Sequence, residues 1–269
     1  MRQFVFLKNM HFRSKKSLGQ NFLVDQNILK KIVEVGEITK NDNILEIGPG
    51  TGNLTKYIVK TNHKSLTIIE KDTGLIKDLK NKFNKRVNII NDDILNLSES
   101  FYESQFIVYG NLPYNISTQI LANWCLFNKT KFKKLILMFQ KEVADRILAK
   151  VNTKDYSRIT VLANWKFNVK KIFNISPECF SPKPKVYSSL LIFTPKNNIV
   201  KINNPLILEK ITRVFFSQRR KMVKKSFSKL FKDCDLISNK IGIRLSDRAQ
   251  NISIDKYFLI AKEYENRLK

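Results

Sequence analysis

In residues 44–55 the chain reads Ile44-Leu45-Glu46-Ile47-Gly48-Pro49-Gly50-Thr51-Gly52-Asn53-Leu54-Thr55, a short apolar run that passes directly into three glycines at alternate positions. Glycines let the backbone turn tightly and approach a ligand closely, and the free N–H groups at the start of a following helix favour the ligand's negative end. The spacing G-x-G-x-G differs from the G-x-G-x-x-G dinucleotide fingerprint, and a glycine triplet alone could be only a turn. The order of strand, glycine loop and helix nevertheless predicts an α/β fold.

Further β-branched runs alternate with candidate helices around this stretch. Predicted strands cover residues 43–47, 65–70, 87–91, 106–109 and 134–139, and predicted helices follow an N-cap at Asp25 and cover 54–59, 73–83 and 117–127. Near-continuously apolar strands separated by helices predict βαβ units and a parallel sheet covered on both faces. Two later strands, 168–175 and 187–194, have no helix between them and should form an antiparallel pair at one edge.

The pattern changes after Pro195. Residues 196–205 are rich in asparagine and predict a linker, and beyond them apolar residues from Ile211 to Phe231 recur at helical spacings. We therefore expect three parts: a flexible basic arm (1–16), an α/β domain (17–195) and a small helical domain (196–269).

The chain is strongly basic, with 49 Lys+Arg against 23 Asp+Glu and a formal charge of +26. Only 11 of the 49 are arginine, and codon bias toward A and T would also give such an excess of lysine. Codon bias does not explain the distribution, because the 91 residues from Cys179 onward hold 20 basic and 7 acidic side chains. Localised positive charge indicates a polyanionic partner, most often nucleic acid, and a membrane-surface helix is the weaker alternative.

Composition argues against several classes of protein. The longest purely apolar run, residues 135–139, is far shorter than the roughly 20 residues that a membrane span needs. Three widely separated cysteines and two histidines argue against a disulfide framework, a metal site and histidine-based catalysis. We expect a soluble, cytoplasmic protein without a bound metal.

Acidic residues follow the next two predicted strands. Glu70 closes the second strand, and Asp92, Asp93, Ile94 and Leu95 follow the third. A carboxylate at Glu70 can accept hydrogen bonds from both hydroxyls of a ribose. Asp93 or Asp92 can accept from an adenine amino group, and the next apolar residues can pack on the ring. Each acid alone could be a solvated strand end, but ligands bind at this edge of α/β sheets, so together they predict an adenosine pocket.

The fourth strand leads into Asn111-Leu112-Pro113-Tyr114. An exocyclic adenine amine is a poor nucleophile, because its lone pair is delocalised into the ring. If the Asn111 side-chain oxygen and the Leu112 carbonyl accept its two N–H bonds, the lone pair is aimed at a methyl donor. Pro113 keeps Leu112 extended, and Tyr114 offers a face on which the base can stack. The alternative is an ordinary turn that contains proline.

Seven stretches together resemble the S-adenosylmethionine-dependent rRNA adenine N6,N6-dimethyltransferases, most closely those that act on small-subunit rRNA. They are residues 16–25, 46–55, 111–118, 140–144, 180–186, 216–221 and 248–250. The resemblance implies a Rossmann-like class I methyltransferase domain, whose seven-stranded sheet is mostly parallel with an antiparallel last strand, and a helical C-terminal RNA-binding domain. One departure is Ser157, where relatives usually have glycine, which leaves the local backbone geometry open.

The resemblance also implies roles for individual residues. S-adenosylmethionine would be held by Gln20, Asn21, Leu23, Glu46, Gly48, Gly50, Gly52, Glu70, Asp92, Asp93, Ile94 and Asn111. The target adenine would be surrounded by Asn111, Leu112, Pro113, Tyr114 and Phe180. Beside the resemblance, the basic charge of the last third of the chain predicts that RNA is bound by Lys183, Lys185, Arg213, Arg219, Arg220, Lys221, Lys224 and Arg248.

Two of these groups have a physical alternative. Phe180 lies between Pro177 and Pro182 and could sandwich a flipped adenine against Tyr114, but it could equally be a core aromatic. On one helix, Arg213, Arg220 and Lys224 would share a face that an RNA backbone could engage, although a solvated helix face is the simpler alternative.

The function that the resemblance implies is dimethylation of N6 on two adjacent adenosines in the 3′-terminal hairpin of small-subunit rRNA. The enzyme would act as a monomer on an assembling small ribosomal subunit. A related enzyme that methylates large-subunit rRNA and confers macrolide resistance is one alternative, which residues 219–221 and 248–250 argue against. An RNA-binding assembly factor that keeps the cofactor site for sensing is the other, and the intact residues 111–114 argue against that as a sole role.

Overall fold

The computed structural model describes residues 20–83, 86–102, 104–129 and 131–268. The predicted basic arm at 1–16 lies outside the described residues. The strands are β1 Phe22–Leu23, β2 Asn43–Ile47, β3 Ser65–Glu70, β4 Asn88–Asn91, β5 Phe106–Asn111, β6 Phe132–Gln140, β7 Phe167–Ile175, β8 Phe180–Ser181 and β9 Ser188–Pro195. The α-helices are α1 Gln26–Glu34, α2 Thr55–Ile58, α3 Thr73–Phe83, α4 Ser117–Cys125, α5 Lys141–Ile147, α6 Arg158–Lys166, α7 Pro205–Phe216, α8 Lys224–Ser228, α9 Cys234–Ile241 and α10 Ile254–Asn266.

A seven-stranded sheet with the order β4-β3-β2-β5-β6-β9-β7 forms the centre of the α/β part. Strands β2 to β6 pair in parallel, and β9 runs antiparallel between β6 and β7. Alternate strand residues enter opposite hydrophobic clusters, with Leu45 and Val108 on one face and Ile44 and Ile107 on the other. The predicted mostly parallel sheet and its antiparallel pair at one edge are confirmed.

Helix α1 is fixed at both ends by contacts that the sequence encodes. The Asp25 side chain accepts a hydrogen bond from the Ile28 N–H at 2.9 Å, which confirms the predicted N-cap. After the helix, a Cβ on Gly36 would lie 1.7 Å from the hydroxyl oxygen of Tyr109 on β5. That hydroxyl donates to the Val33 carbonyl at 2.9 Å, so only glycine lets the helix end lie against the sheet.

The C-terminal helices pack on the α/β part through helix α6. One hydrophobic cluster contains Leu162 of α6 together with Ile211 of α7 and Tyr257 of α10. The Trp165 ring N–H donates to the Val200 carbonyl at 2.9 Å, within the segment 196–204 that holds no helix or strand. The division into domains at residue 195 stays a prediction.

The prediction that Arg213, Arg220 and Lys224 share one helix face is wrong. Helix α7 ends at Phe216 and helix α8 begins at Lys224, so the segment 219–221 lies in the turn between them. Two backbone N–H groups that a continuous helix would use form hydrogen bonds to a different segment. The Val223 N–H donates to the Asp247 carbonyl at 2.8 Å, and the Lys224 N–H donates to the Leu245 carbonyl at 3.1 Å. The helical spacing of the apolar residues therefore indicates side chains that share one core and not one continuous helix. Phe215 of α7 and Phe227 of α8, for example, pack with ring centroids 5.3 Å apart.

Serine at position 157 fits the backbone that the structure shows. Ser157 has φ −153° and ψ 176°, which is extended backbone that any residue adopts, and it is the N-cap of α6. Its N–H donates to the Thr160 hydroxyl at 3.0 Å, and its own hydroxyl lies 3.3 Å from that oxygen. The Thr160 hydroxyl therefore accepts the N–H at the start of the helix, and the serine hydroxyl adds a contact to Thr160 that glycine cannot make.

A buried acid that lies far away in sequence holds the two residues before helix α7, the second of which, Asn204, is its N-cap. Glu265 of α10 is 7% exposed and accepts hydrogen bonds from the Asn203 N–H at 3.1 Å, the Asn203 side-chain amide at 2.9 Å and the Asn204 N–H at 2.8 Å. A carboxylate near the N-terminus of a helix is also favoured by the helix dipole. Glu265 therefore joins the last helix to the start of the C-terminal part.

We predict that Glu265→Gln lowers the free energy of unfolding by about 2 kcal/mol, because hydrogen bonds to a charged acceptor each contribute about 1.5–3 kcal/mol. Glu263→Gln on the same helix is the control, because Glu263 pairs with exposed Lys240 and Arg267 and should change stability by about 1 kcal/mol or less. Urea unfolding followed by circular dichroism measures both variants. Equal losses for the two would contradict the role of Glu265 in holding the residues before α7.

Candidate active site

One cavity opens at the carboxyl edge of strands β2, β3, β4 and β5. The lining residues that were predicted from sequence are Gln20, Asn21, Gly48, Gly50, Glu70, Asp92, Asp93, Ile94, Asn111, Leu112, Pro113 and Tyr114. These come from the N-terminal segment and from four strand ends that are far apart in sequence. The parallel sheet thus brings together most of the residues that were predicted to hold an adenosine-containing ligand and its target base.

The glycine loop after β2 adopts a backbone that other residues would strain. Gly48, Gly50 and Gly52 have φ values of +63°, +56° and +81°. A Cβ on Gly50 would lie 2.7 Å from the Phe22 ring, and one on Gly52 would lie 2.6 Å from the Phe83 ring. A Cβ on Gly48 would instead project into open space, which leaves its backbone accessible from the cavity.

Glu70 ties this loop to the end of β3. Its Oε2 accepts the Gly50 N–H at 3.1 Å and its Oε1 accepts the Asp72 N–H at 2.8 Å. Burial raises the pKa of Glu70, and these backbone N–H groups oppose the increase. The carboxylate therefore sets the shape of the loop and also borders the cavity.

The acidic pair after β4 is held in place on one side of the cavity. Burial would raise the pKa of Asp93, but hydrogen bonds from Lys71 and the Leu95 N–H outweigh burial and lower it. The Lys71 Nζ lies 2.7 Å from Asp93 Oδ2. Asp92 Oδ1 accepts the Asp93 N–H at 2.6 Å and the Asn96 amide at 3.1 Å. Both acids remain candidates for the adenine amino group.

The loop after β5 presents an oriented amide. The Asn111 Nδ2 donates to the Asn21 carbonyl at 2.9 Å, so the side-chain oxygen Oδ1 is the end of the amide that remains to accept. The Pro113 carbonyl accepts the N–H groups of Ile116 and Ser117 at 3.1 and 3.0 Å, which starts helix α4. The Tyr114 hydroxyl lies 2.7 Å from the Ser188 hydroxyl of β9.

Four predicted site residues lie outside this cavity. Gly52 contacts Phe83 as described above, and Leu23 and Phe180 are 5% and 4% exposed in a hydrophobic cluster, where β1 pairs with β8. The structure thus favours the core-aromatic alternative for Phe180. Glu46 is 2% exposed beneath the glycine loop, where it accepts the Thr55 hydroxyl at 2.6 Å, and burial raises its pKa to about 8.

Sequence reasoning missed several residues at the site. Phe22, Lys71 and Asn115 line the cavity, and Ser188 contacts it through Tyr114. Phe22 directly follows Asn21, and Lys71 directly follows Glu70. Their position next to predicted site residues was the signal that could have identified them. Ser188 lies 74 residues from Tyr114, and no local pattern connects the two.

The predicted RNA-binding residues divide into two groups. Arg213 pairs with Glu209, and Lys183 pairs with Glu178. The segment 219–221 and Lys224 lie beside Arg248, because Met222 and Arg248 form a β-bridge. Apart from Arg219, which is half-buried, these basic side chains are exposed. We refer to Arg219, Arg220, Lys221, Lys224 and Arg248 as the basic turn patch.

The sheet order, the glycine loop and the Asn-Leu-Pro-Tyr loop define a class I methyltransferase. A solved dimethyladenosine transferase from Plasmodium falciparum has the same fold, with a TM-score of 0.78 at 25% identity, and the match covers 91% of this chain and 98% of that one. The solved 23S rRNA methyltransferase ErmE matches with a TM-score of 0.66 at 22% identity over 90% and 98% of the two chains, which shows the fold alone.

The family model described as ribosomal RNA adenine dimethylase matches residues 11–266, and the chain belongs to this family. Its relatives include proteins named ribosomal RNA small subunit methyltransferase A. The one from Pelagibacter ubique is 54% identical over 260 residues, which cover 96% of this chain and 99% of the relative. The one from Wolbachia pipientis wMel is 39% identical over 96% of this chain and 92% of the relative.

The methyl donor of this family is S-adenosylmethionine. The residues present fit it, because the Gly48 backbone is open to the cavity and carboxylates at two neighbouring strand ends can accept from ribose and adenine. In the described part of the chain, no group of three or more His, Cys, Asp or Glu could hold a metal ion. Among those same residues, no helix is long and apolar enough to cross a membrane.

Glu46 makes stability depend on pH in a predictable direction. Its folded-state pKa of about 8 lies above the ordinary 4.5, so the folded protein binds this proton more tightly than the unfolded chain. The stability that Glu46 contributes is therefore fully present below about pH 4.5 and is lost as the pH rises through about 8.

We predict that Glu46→Gln, measured without cofactor, shows a smaller fall in unfolding temperature between about pH 6 and about pH 9 than the wild type. Glutamine keeps an oxygen for the Thr55 hydroxyl and has no proton to lose. Glu34→Gln on the exposed face of α1 is the control and should follow the wild-type profile. Identical pH profiles for the wild type and Glu46→Gln would show that Glu46 is not buried as a neutral acid.

Proposed function

We propose that this protein transfers methyl groups from S-adenosylmethionine to N6 of two adjacent adenosines in the 3′-terminal hairpin of small-subunit rRNA. The substrate is supported by the 54% identity, over almost the whole of both chains, to a relative named for small-subunit rRNA. The observation that carries the chemistry is the amide of Asn111, which is turned by the Asn21 carbonyl so that its oxygen can accept.

The residues of the loop after β5 prepare the target amine. The sulfonium of the bound cofactor supplies an electrophilic methyl group. Asn111 Oδ1 and the Leu112 carbonyl accept the two N–H bonds of the amine, which draws its nitrogen toward tetrahedral geometry and frees the lone pair. No strong base is required, because the N–H becomes acidic once the nitrogen is alkylated.

The cofactor-binding side of the cavity is formed by the strand ends. In this proposal Gln20, Asn21 and the glycine loop hold the methionine part, Glu70 accepts from the ribose, and Asp92 or Asp93 accepts from the adenine. Leu23, Glu46 and Gly52 act indirectly, since none of them lines the cavity. Tyr114 stacks on the target base, and Phe180 serves as part of the hydrophobic core.

We predict that Asn111→Ala lowers methyl incorporation into undermethylated small ribosomal subunits by about 100-fold, similar to the loss of one preorganised polar group in other active sites. Asn239→Ala, on the exposed side of α9, should retain full activity. Incorporation of tritiated methyl groups measures the rate, and mapping of dimethyladenosine identifies the nucleotides. Unchanged incorporation by Asn111→Ala would remove its assigned role, and product in large-subunit rRNA would refute the substrate.

The basic turn patch is the proposed contact with the rRNA backbone. Its members come from two segments that the Met222–Arg248 bridge brings together. Arg213 and Lys183 contribute less in this proposal, because Glu209 and Glu178 already neutralise them. Lys185 lies on the exposed loop before β9 and supplies a further contact.

We predict that replacing Arg219, Arg220 and Lys221 with alanine reduces the slope of log K against log salt for RNA binding by about two units, because each lost phosphate contact removes about 0.7–0.9. A control that replaces exposed Lys30, Lys77 and Lys80 removes the same charge elsewhere and should leave the slope unchanged. Filter binding at several salt concentrations gives both slopes. Cofactor affinity should barely depend on salt, and equal slopes for cofactor and RNA would contradict the proposal.

The remaining features of the proposal concern cellular context. The protein acts in the cytoplasm as a monomer, on a small ribosomal subunit that is still being assembled. The names of its relatives support a ribosomal substrate. The likeness to the 23S rRNA enzyme rests on 22% identity and so supports the shared fold, not a large-subunit target.

A further inference from the structure

The Tyr114 and Ser188 hydroxyls join two parts of the molecule that the chemistry described so far does not connect. Their oxygens lie 2.7 Å apart. Tyr114 lines the cavity on the loop after β5, whereas Ser188 is the first residue of the antiparallel strand β9. The hydrogen bond therefore runs between the side chain proposed to stack on the target base and the opposite half of the sheet.

Ser188 occupies a rigid position. It is fully buried, and it pairs with Gln140 of β6 on one side and with Ile175 of β7 on the other. The preceding residue is also fixed, because the Tyr187 carbonyl accepts the Lys141 N–H at 2.8 Å. Three strands thus determine where the Ser188 hydroxyl lies.

Tyr114 lies in a less regular part of the chain. Residues 112–116 belong to no helix or strand, and the Ser117 hydroxyl donates to the Tyr114 carbonyl at 3.2 Å. A tyrosine side chain that is held only by its backbone can swing about χ1, whereas a hydrogen bond at its hydroxyl also fixes where the far end of the ring lies. Burial raises the pKa of Tyr114, so the phenol carries its proton at neutral pH and can donate to Ser188.

We propose that Ser188 is a positioning residue that holds the Tyr114 ring at the place where the target adenine stacks. This inference rests on the stacking role proposed for Tyr114. A displaced ring misplaces the amine relative to Asn111 Oδ1, and small misplacements of a reacting atom slow the chemical step. Contacts to the RNA backbone supply most of the affinity and lie elsewhere, so loss of the tether lowers kcat rather than raising KM.

The adjacent residue provides a matched control. Ser189 is also fully buried on β9, but its side chain points to the other face, where its hydroxyl donates to Asn174 Oδ1 at 2.8 Å. Ser189→Ala removes one buried hydroxyl from the same strand without touching Tyr114. Any loss that both serine variants share therefore reports the stability of the strand.

The test is a double-mutant cycle with Ser188→Ala and Tyr114→Phe, measured as kcat and KM for small ribosomal subunits. Each single variant should lower kcat about fivefold with little change in KM, and the double variant should be no slower than either, because both remove the same hydrogen bond. Ser189→Ala should keep the wild-type kcat. Cofactor affinity, measured by calorimetry, should be the same in all four variants.

Each other outcome has a defined meaning. Independent, multiplying effects of the two substitutions, or equal loss of kcat in both serine variants, would overturn the positioning role of Ser188. If Ser188→Ala does not fold, Tyr114→Phe still tests the hydrogen bond, because it removes the other hydroxyl. An unchanged kcat in Tyr114→Phe would then overturn the positioning role of Ser188. Tyr114→Ala separates the two proposals: if it leaves kcat unchanged, the stacking role fails, whereas a slow Tyr114→Ala with a normal Ser188→Ala refutes only the tether.

Discussion

The hydrogen bond from the Gly50 N–H to the Glu70 carboxylate is the interaction on which the cavity depends. It joins the loop after β2 to the end of β3, and the Gly48 N–H adds a second link to the Ile69 carbonyl at 2.9 Å. The loop can reach these partners only with positive φ angles, which glycine adopts without strain. One carboxylate therefore explains both the composition of the loop and its place at the edge of the sheet.

The N-terminal segment completes the same edge through side chains. The Gln20 amide donates to Asp72 at 2.9 Å, the Asn53 amide donates to the Leu23 carbonyl at 2.8 Å, and the Asn21 carbonyl accepts from Asn111. Residues proposed to hold the cofactor thereby also orient the amide proposed to hold the target amine. In the proposed reaction, hydrogen bonds to this one short segment therefore help to place both the cofactor and the target amine.

Local sequence predicted the regular part of the fold well. The strands at 43–47 and 65–70 and the helix at 73–83 were predicted with the bounds that the structure shows, because apolar period and turn residues agree there. Local patterns failed where hydrogen bonds to distant parts of the chain determine the structure. The pairing of β1 with β8 and the break in the helix before Lys224 both arise from such bonds. The same limit explains why Ser188, which lies 74 residues from Tyr114, was missed while the strand-end acids were found.

The two halves of the sheet contribute differently to the site. Strands β2 to β5 are parallel, so their carboxyl ends meet and supply the glycine loop, the acids and Asn111. Strand β9 runs the other way, so its first residue, and not its last, reaches this edge and meets Tyr114. A parallel strand at that place would bring its carboxyl end to this edge. The exposed basic loop 182–187, which leads into the start of β9, would then lie at the opposite edge. The antiparallel strand therefore links the side chain proposed to bind the base to the loop that carries the proposed RNA contact Lys185.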